Sequence, residues 1–163
     1  MPDWQERITR HSHPALRVEH ELRYAVAAPL IAGAALWCDL GCGSGVAAAS
    51  AVAGAEPPHR LVLVDVAEDA LEAARRQSGL ESAVVVAADL ASEDGVARVR
   101  AELLEHAPAG TRLITCFEAI VHLASFVPLV MLLTDLVEEH DFTVLLSVPN
   151  DAFWAVENPH HRT

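Results

Sequence analysis

Three glycines at alternate positions, Gly41, Gly43 and Gly45, follow a short apolar run that ends in Asp39 and lead into the Ala-rich segment Val46 to Ala53. Glycine lets a backbone turn tightly and brings it within contact distance of a ligand. Strand, glycine turn and helix in that order build a nucleotide pocket at the carboxyl end of a parallel strand, with the helix N-terminus facing the ligand. Asp65 lies twenty positions after Gly45, at the end of the next apolar run. A carboxylate there can accept hydrogen bonds from ribose hydroxyls. Asp89 ends the third run, where an acid can accept from an adenine amino group while Leu90 packs on the ring. Taken singly, each acid could equally be a solvated strand end. Three successive strand ends carrying such groups point together to a nucleoside.

The elements that must position these residues alternate along the chain. Apolar runs at Ala35–Leu40, Leu61–Val66, Ala83–Ala88, Arg112–Phe117 and Phe142–Val148 are predicted strands. Between them, Ser44–Ala53, Glu68–Ser78, Glu93–Glu105 and Ser125–Glu139 are predicted helices. The expected fold class is α/β: a three-layer, doubly wound, Rossmann-like parallel sheet of about five strands. Two helices, Asp3–Arg10 and Ala15–Leu30, precede it and are split near Pro14, because proline disfavours α geometry in the residue before it. Residues 1–34 are expected to be a helical segment of the same domain, and residues 35–163 the ligand-binding part. The last strand would lie at an apolar sheet edge, which is usually paired, covered or charged. The expectation is a C-terminally truncated domain, or an exposed edge that serves as a homo-oligomer contact.

A chain of 163 residues, 52% hydrophobic and 21% charged, fits one globular domain. The formal net charge of −12 argues against a phosphate-backbone footprint, so no nucleic-acid partner is expected. All basic residues besides histidine are arginine, so a P-loop, which needs a lysine, is excluded. A nicotinamide site would prefer G-x-G-x-x-G, and Val46 stands where its third glycine belongs. Cys38, Cys42 and Cys116 are odd in number and form no CxxC pair, which fits a reducing, cytoplasmic setting. Cys38 and Cys42 read as small apolar fillers. No apolar run is long enough to span a bilayer, and no signal peptide is evident.

The motifs together resemble those of class I S-adenosylmethionine-dependent methyltransferases. CDLGCGSG is similar to that family's first motif, LVLVDVAEDALEAAR to its second and VVVAADLA to its third. LITCFEAIVHL resembles the fourth-strand motif, and SVPN with the terminal ENPHH resembles segments of small-molecule members. The resemblance implies S-adenosyl-L-methionine as cofactor. It places Gly41, Cys42, Gly43, Ser44 and Gly45 beside the methionine part, with Asp39 reaching its amino group through water or backbone. It places Asp65 at the ribose, Asp89 and Leu90 at the adenine, and Phe117 and Glu118 beside the sulfonium, with Val66 also among the cofactor-binding residues.

The implied activity is methyl transfer to oxygen or nitrogen of a small-molecule acceptor. His122, His161 and Glu118 are the candidate catalytic bases, and the N-terminal helices are expected to lie over the cofactor. Val121 and Ser125 stand where metal-binding RNA methyltransferases carry ligands, so no metal is expected. His11, His13 and His160 read as exposed terminal residues. The alternatives are a non-catalytic module that binds the cofactor or its product, or a partner-dependent subunit. An RNA methyltransferase or a nicotinamide-dependent oxidoreductase fits the charge and the glycine spacing less well.

Overall fold

A computed structural model describes residues 14–149. The predicted helix Asp3–Arg10, the terminal ENPHH segment and His11, His13, His160 and His161 lie outside them. The elements follow in the order α1 (Pro14–Ile31), β1 (Leu36–Leu40), α2 (Val46–Val52), β2 (Leu61–Asp65), α3 (Glu68–Ala74) and β3 (Val84–Ala87). After them come α4 (Glu93–Glu105), β4 (Arg112–Phe117), a 3-10 turn (Ile120–His122), α5 (Val127–His140) and β5 (Phe142–Ser147).

The five strands form one parallel sheet in the order β3-β2-β1-β4-β5. Each predicted strand is present, with ends moved by a residue or less. β1 and β2 are buried at every position, as strands covered on both faces must be. Leu36, Cys38 and Leu40 point into a core closed by α4 and α5, with Val99, Leu103, Leu129 and Leu136. Trp37 alternates to the opposite core, beneath α1, α2 and α3, with Tyr24, Ile31, Ala48, Leu71 and Leu113. The sheet is therefore the middle of three layers.

Two helices are shorter than the sequence predicts, for local reasons. α2 starts at Val46 rather than Ser44 because Gly45 has φ 71°, a left-handed conformation no helix can include. α3 ends at Ala74 rather than Ser78. There the N–H groups of Arg76 and Gln77 donate back three residues, to the carbonyls of Ala73 and Ala74, tightening the last turn. Gln77 is then drawn off the helix line by its own side chain, which donates from Nε2 to the carbonyl of Ser44 at 3.1 Å.

β5 lies at one edge of the sheet, and among the described residues no strand pairs with its outer side. Leu146 and Val148 are exposed there, in keeping with the apolar edge expected from sequence. Among the described residues no helix is long and apolar enough to cross a membrane.

Candidate functional site

Strand order reverses at β1: β2 continues the chain on one side, and β4 arrives on the other. In an open parallel sheet the crevice for a ligand forms outside the carboxyl ends of the strands at such a reversal. The glycine turn stands there. The N–H groups of Gly41 and Cys42 both donate to the carbonyl of Val64, at 2.8 and 3.0 Å, which staples the turn to β2.

The three glycines serve three different purposes. A Cβ on Gly41 would lie 2.4 Å from Cβ of Ala119, so this position lets the loop after β4 close in. A Cβ on Gly45 would lie 2.8 Å from Cβ of Ala74, so that glycine admits α3. Gly43 has φ 55°, yet a Cβ there would meet nothing within 4 Å. Among the described residues no packing requires a bare backbone at Gly43; its left-handed φ favours glycine, and the space beside it is open.

Asp65 joins this turn to β2. Its Oδ2 accepts from the Gly43 N–H at 2.9 Å and its Oδ1 from the Ala67 N–H at 3.0 Å. The acid expected to hold a ribose is thus fixed beside the glycine expected to face the ligand. Val66, directly after it, is 64% exposed and offers an uncovered apolar surface at the strand end. Asp89 is exposed at the end of β3, where its Oδ1 accepts from the Ala91 N–H at 2.9 Å. The Leu90 side chain, expected against an adenine ring, is buried in the core with Val86, Val99 and Leu103. The Cys42 side chain is buried likewise, as are those of Cys38 and Cys116, and all three are free thiols. Burial pushes the three thiols upward in pKa, as suits packing groups.

Asp39 is fully buried on the α1 side of the sheet, paired in register with Thr115. Its Oδ2 accepts from the Tyr24 hydroxyl at 2.8 Å, and its Oδ1 from the Thr115 hydroxyl at 2.5 Å. Thr115 Oγ1 in turn accepts from Trp37 Nε1 at 2.9 Å. Burial raises the Asp39 carboxyl to about 7, against the opposing pull of its two hydroxyl donors. This network lies below the cleft, so a ligand's amino group would reach Asp39 through intervening groups rather than directly. Tyr24 also stacks edge-on against Phe117, with ring centroids 5.0 Å apart.

The end of β4 carries the second polar cluster. Glu118 has φ 57°, a strained conformation for a residue with a side chain, and such strain gathers at functional sites. Its Oε1 faces Arg23 Nε at 3.1 Å and accepts from the Ser147 hydroxyl at 2.8 Å. Through Arg23 and Tyr24 the middle of α1 therefore packs over the carboxyl ends of β1 and β4. His122 is exposed on the 3-10 turn that follows.

Sequence reasoning missed Tyr24, Arg23, His20, Thr115 and Gln77. His20 lies one helical turn before Tyr24 and is half-buried. Burial and the Arg23 cation lower its pKa, while Glu118 and Glu19 act the other way. A cavity of about 550 Å³ opens on the flank of α2, lined by Arg17, Glu21, Ser50, Gly54 and Gly79. None of the strand-end acids lines it.

No family model matches the sequence, and no curated protein matches it. Solved structures do share the fold. The N-methyltransferase NodS from Bradyrhizobium japonicum is 15% identical, with 88% of this chain and 74% of that one aligned at a TM-score of 0.57. The small RNA methyltransferase HEN1 is 17% identical, over 97% of this chain and 21% of that one, at 0.64. The plantazolicin methyltransferase BpumL, solved in complex with S-adenosylhomocysteine, is 15% identical, over 90% of this chain and 54% of that one, at 0.56. This chain thus spans between a fifth and three quarters of the length of these proteins. With its five-stranded parallel sheet and its glycine turn at the strand-order reversal, the chain has the Rossmann-like fold of class I S-adenosylmethionine-dependent methyltransferases.

Proposed function

We propose that this chain is an S-adenosylmethionine-dependent methyltransferase acting on a small-molecule acceptor. The observation that carries the reading is Gly43, whose left-handed backbone faces open space while Asp65 holds its N–H from the neighbouring strand end. The residues present fit the cofactor. Asp65 would accept from its ribose hydroxyls, Val66 would cover one face of its adenine, Asp89 would accept from the adenine amino group, and Gly43 with Ser44 would border its methionine part. Bound there, the cofactor would supply an electrophilic methyl group on a sulfonium.

What the protein adds is placement and dryness. α1 closes over the ends of β1 and β4 through Tyr24 and Arg23, with Phe117 between them. Orientation of two reactants in such a cleft can lower a barrier by about 7–11 kcal/mol in favourable cases. Glu118 and His122, at the end of β4, are near enough in the chain to meet an acceptor there. His161 is a further candidate on sequence alone. The formal charge of −12 supports a small molecule over a nucleic acid as acceptor. A cytoplasmic setting agrees with the three free, buried thiols.

A thermal-shift panel tests the cofactor. S-adenosylhomocysteine at a hundred times its Kd adds about 2.7 kcal/mol of stability by mass action, and NAD and ATP add none. A shift with NAD and none with S-adenosylhomocysteine would overturn the reading.

A further inference from the structure

β5 is an edge strand without the usual protections of one. It pairs in register with β4 along its whole length, and it carries no charge, no proline and no glycine. Natural sheets blunt an open edge with short strands, charged side chains, prolines or bulges. β3, at the other edge, is four residues long and has no large exposed apolar side chain. The Ser147 carbonyl accepts from the Glu118 N–H on the β4 side of the strand. Backbone groups alternate sides along a strand, so those of Val144 and Leu146 point outward.

The helix above this edge is apolar on the matching flank. α4 packs on β3 and α5 on β5, so α4 lies on the inner side of α5. Arg100 of α4 binds Asp135 at 2.8 Å and marks that inner flank. At about 100° per residue, Val130 and Val137 fall on the opposite side of the buried ridge Leu129, Leu132 and Leu136, with Phe126 beside them. The chain reverses at Asp141 between α5 and β5, which brings the start of α5 over the end of β5. Val144 packs in the core beneath α5, and Leu146 alternates with it onto the same face, next to Val148. Phe126, Val130, Val137, Leu146 and Val148, each 43% to 58% exposed, therefore line one notch between the helix flank and the open strand.

We propose that this notch and the β5 edge are the contact of a homodimer, in which β5 pairs antiparallel with β5 of a second copy about a two-fold axis normal to the sheet. That axis leaves both α5 helices on one face, so their apolar flanks meet over the seam and the two sheets continue as one. A second copy fits this surface on three grounds. Asp135, Glu138 and Glu139 of α5 lie towards α4 and solvent, so the notch offers no charge to a cationic partner and none that repels a like copy. The outward N–H and C=O groups of Val144 and Leu146 are matched by the same groups of an antiparallel copy, as an isologous contact demands. The exposed parts of the five notch side chains come to about 400 Å² per copy, half of what a standard interface buries on each partner; the β5 backbone edge and Val127 at the rim add to it.

Sedimentation velocity of the full chain across the micromolar range, with amide hydrogen exchange at the same concentrations, tests the dimer. The expected result is a species of twice 17.5 kDa that gains on the monomer with concentration, while the Val144 and Leu146 amides exchange more slowly. Leu146→Pro removes an outward N–H, which an edge strand tolerates, and should raise the dimer dissociation constant by about tenfold or more. Val130→Glu leaves the strand intact and sets like charges on both facing flanks; it should weaken the dimer as much, and it decides alone if Leu146→Pro does not fold. Val26→Glu, in the exposed apolar row of α1, should leave the dissociation constant within about twofold. A monomer at every concentration overturns the proposal, as does a dimer that Val130→Glu leaves intact or that Val26→Glu dissociates. Val144 and Leu146 amides equally protected at all concentrations overturn it too, since the edge would then be covered within one chain.

Discussion

The buried carboxyl of Asp39 links the stability of this fold to pH in an unusual direction. Its pKa rises from 3.8 in the unfolded chain to about 7 in the native one, chiefly through desolvation. The native state therefore binds a proton between those values that the unfolded state has already released. Under that condition stability falls as pH rises, and the loss is complete above the native pKa. The shift corresponds to about 4 kcal/mol across the whole window, of which about 2 kcal/mol falls between pH 5 and pH 7.

The neighbours accommodate both protonation states. When Asp39 is ionised, Thr115 donates to it. When Asp39 is neutral, it can donate to Thr115 Oγ1, and the threonine hydroxyl can turn to the Cys38 carbonyl at 3.5 Å. Other acids titrate over the same range, so the informative quantity is a difference between two proteins. Asp39→Asn is nearly isosteric and cannot ionise. Urea unfolding of both proteins at half-unit pH steps should show the variant gaining on the natural chain by about 2 kcal/mol from pH 5 to pH 7. A difference that stays flat within about 0.5 kcal/mol would refute the argument that burial dominates over the two hydroxyl donors.

The glycines and Asp65 give sharper tests of the cleft. Gly45→Ala drives a Cβ against Ala74 at a position with φ 71° and should cost about 2–4 kcal/mol in urea unfolding. Gly43→Ala meets no neighbour, so it should cost only about 1 kcal/mol while weakening S-adenosylhomocysteine binding by about tenfold or more in calorimetry. Equal effects of the two variants on stability and on binding would mean that Gly43 does not face the ligand. Asp65→Ala removes the ribose acceptor and the brace on the Gly43 N–H together. It should weaken S-adenosylhomocysteine binding by about tenfold or more, and unchanged affinity would remove Asp65 from the ribose.

The sheet was legible in the sequence because each strand is a largely apolar run and because helix-like segments separate the runs. The glycine turn was legible because only glycine serves where φ is positive and space is short, as at Gly41 and Gly45. Asp65 was found by its strand-end position alone, and its bond to Gly43 bears out their nearness. The burial of Leu90 was not legible, because a residue just past a strand end can turn to either face; here the core between the sheet and α4 takes it. Tyr24, Arg23 and His20 carry no motif. Their partners, Asp39 and Glu118, are far away in the chain, and only the docking of α1 across the strand ends brings them together. An α-helical period can show that one face of α1 is buried, but not which acids that face meets.

A crystal soaked with S-adenosylhomocysteine tests the nucleoside cleft most directly. The account predicts ribose hydroxyls within hydrogen-bond distance of Asp65 and the ligand backbone passing over Gly43. Density at neither position, with the nucleoside lodged instead between α1 and α2 beside Arg17 and Gly79, would contradict it.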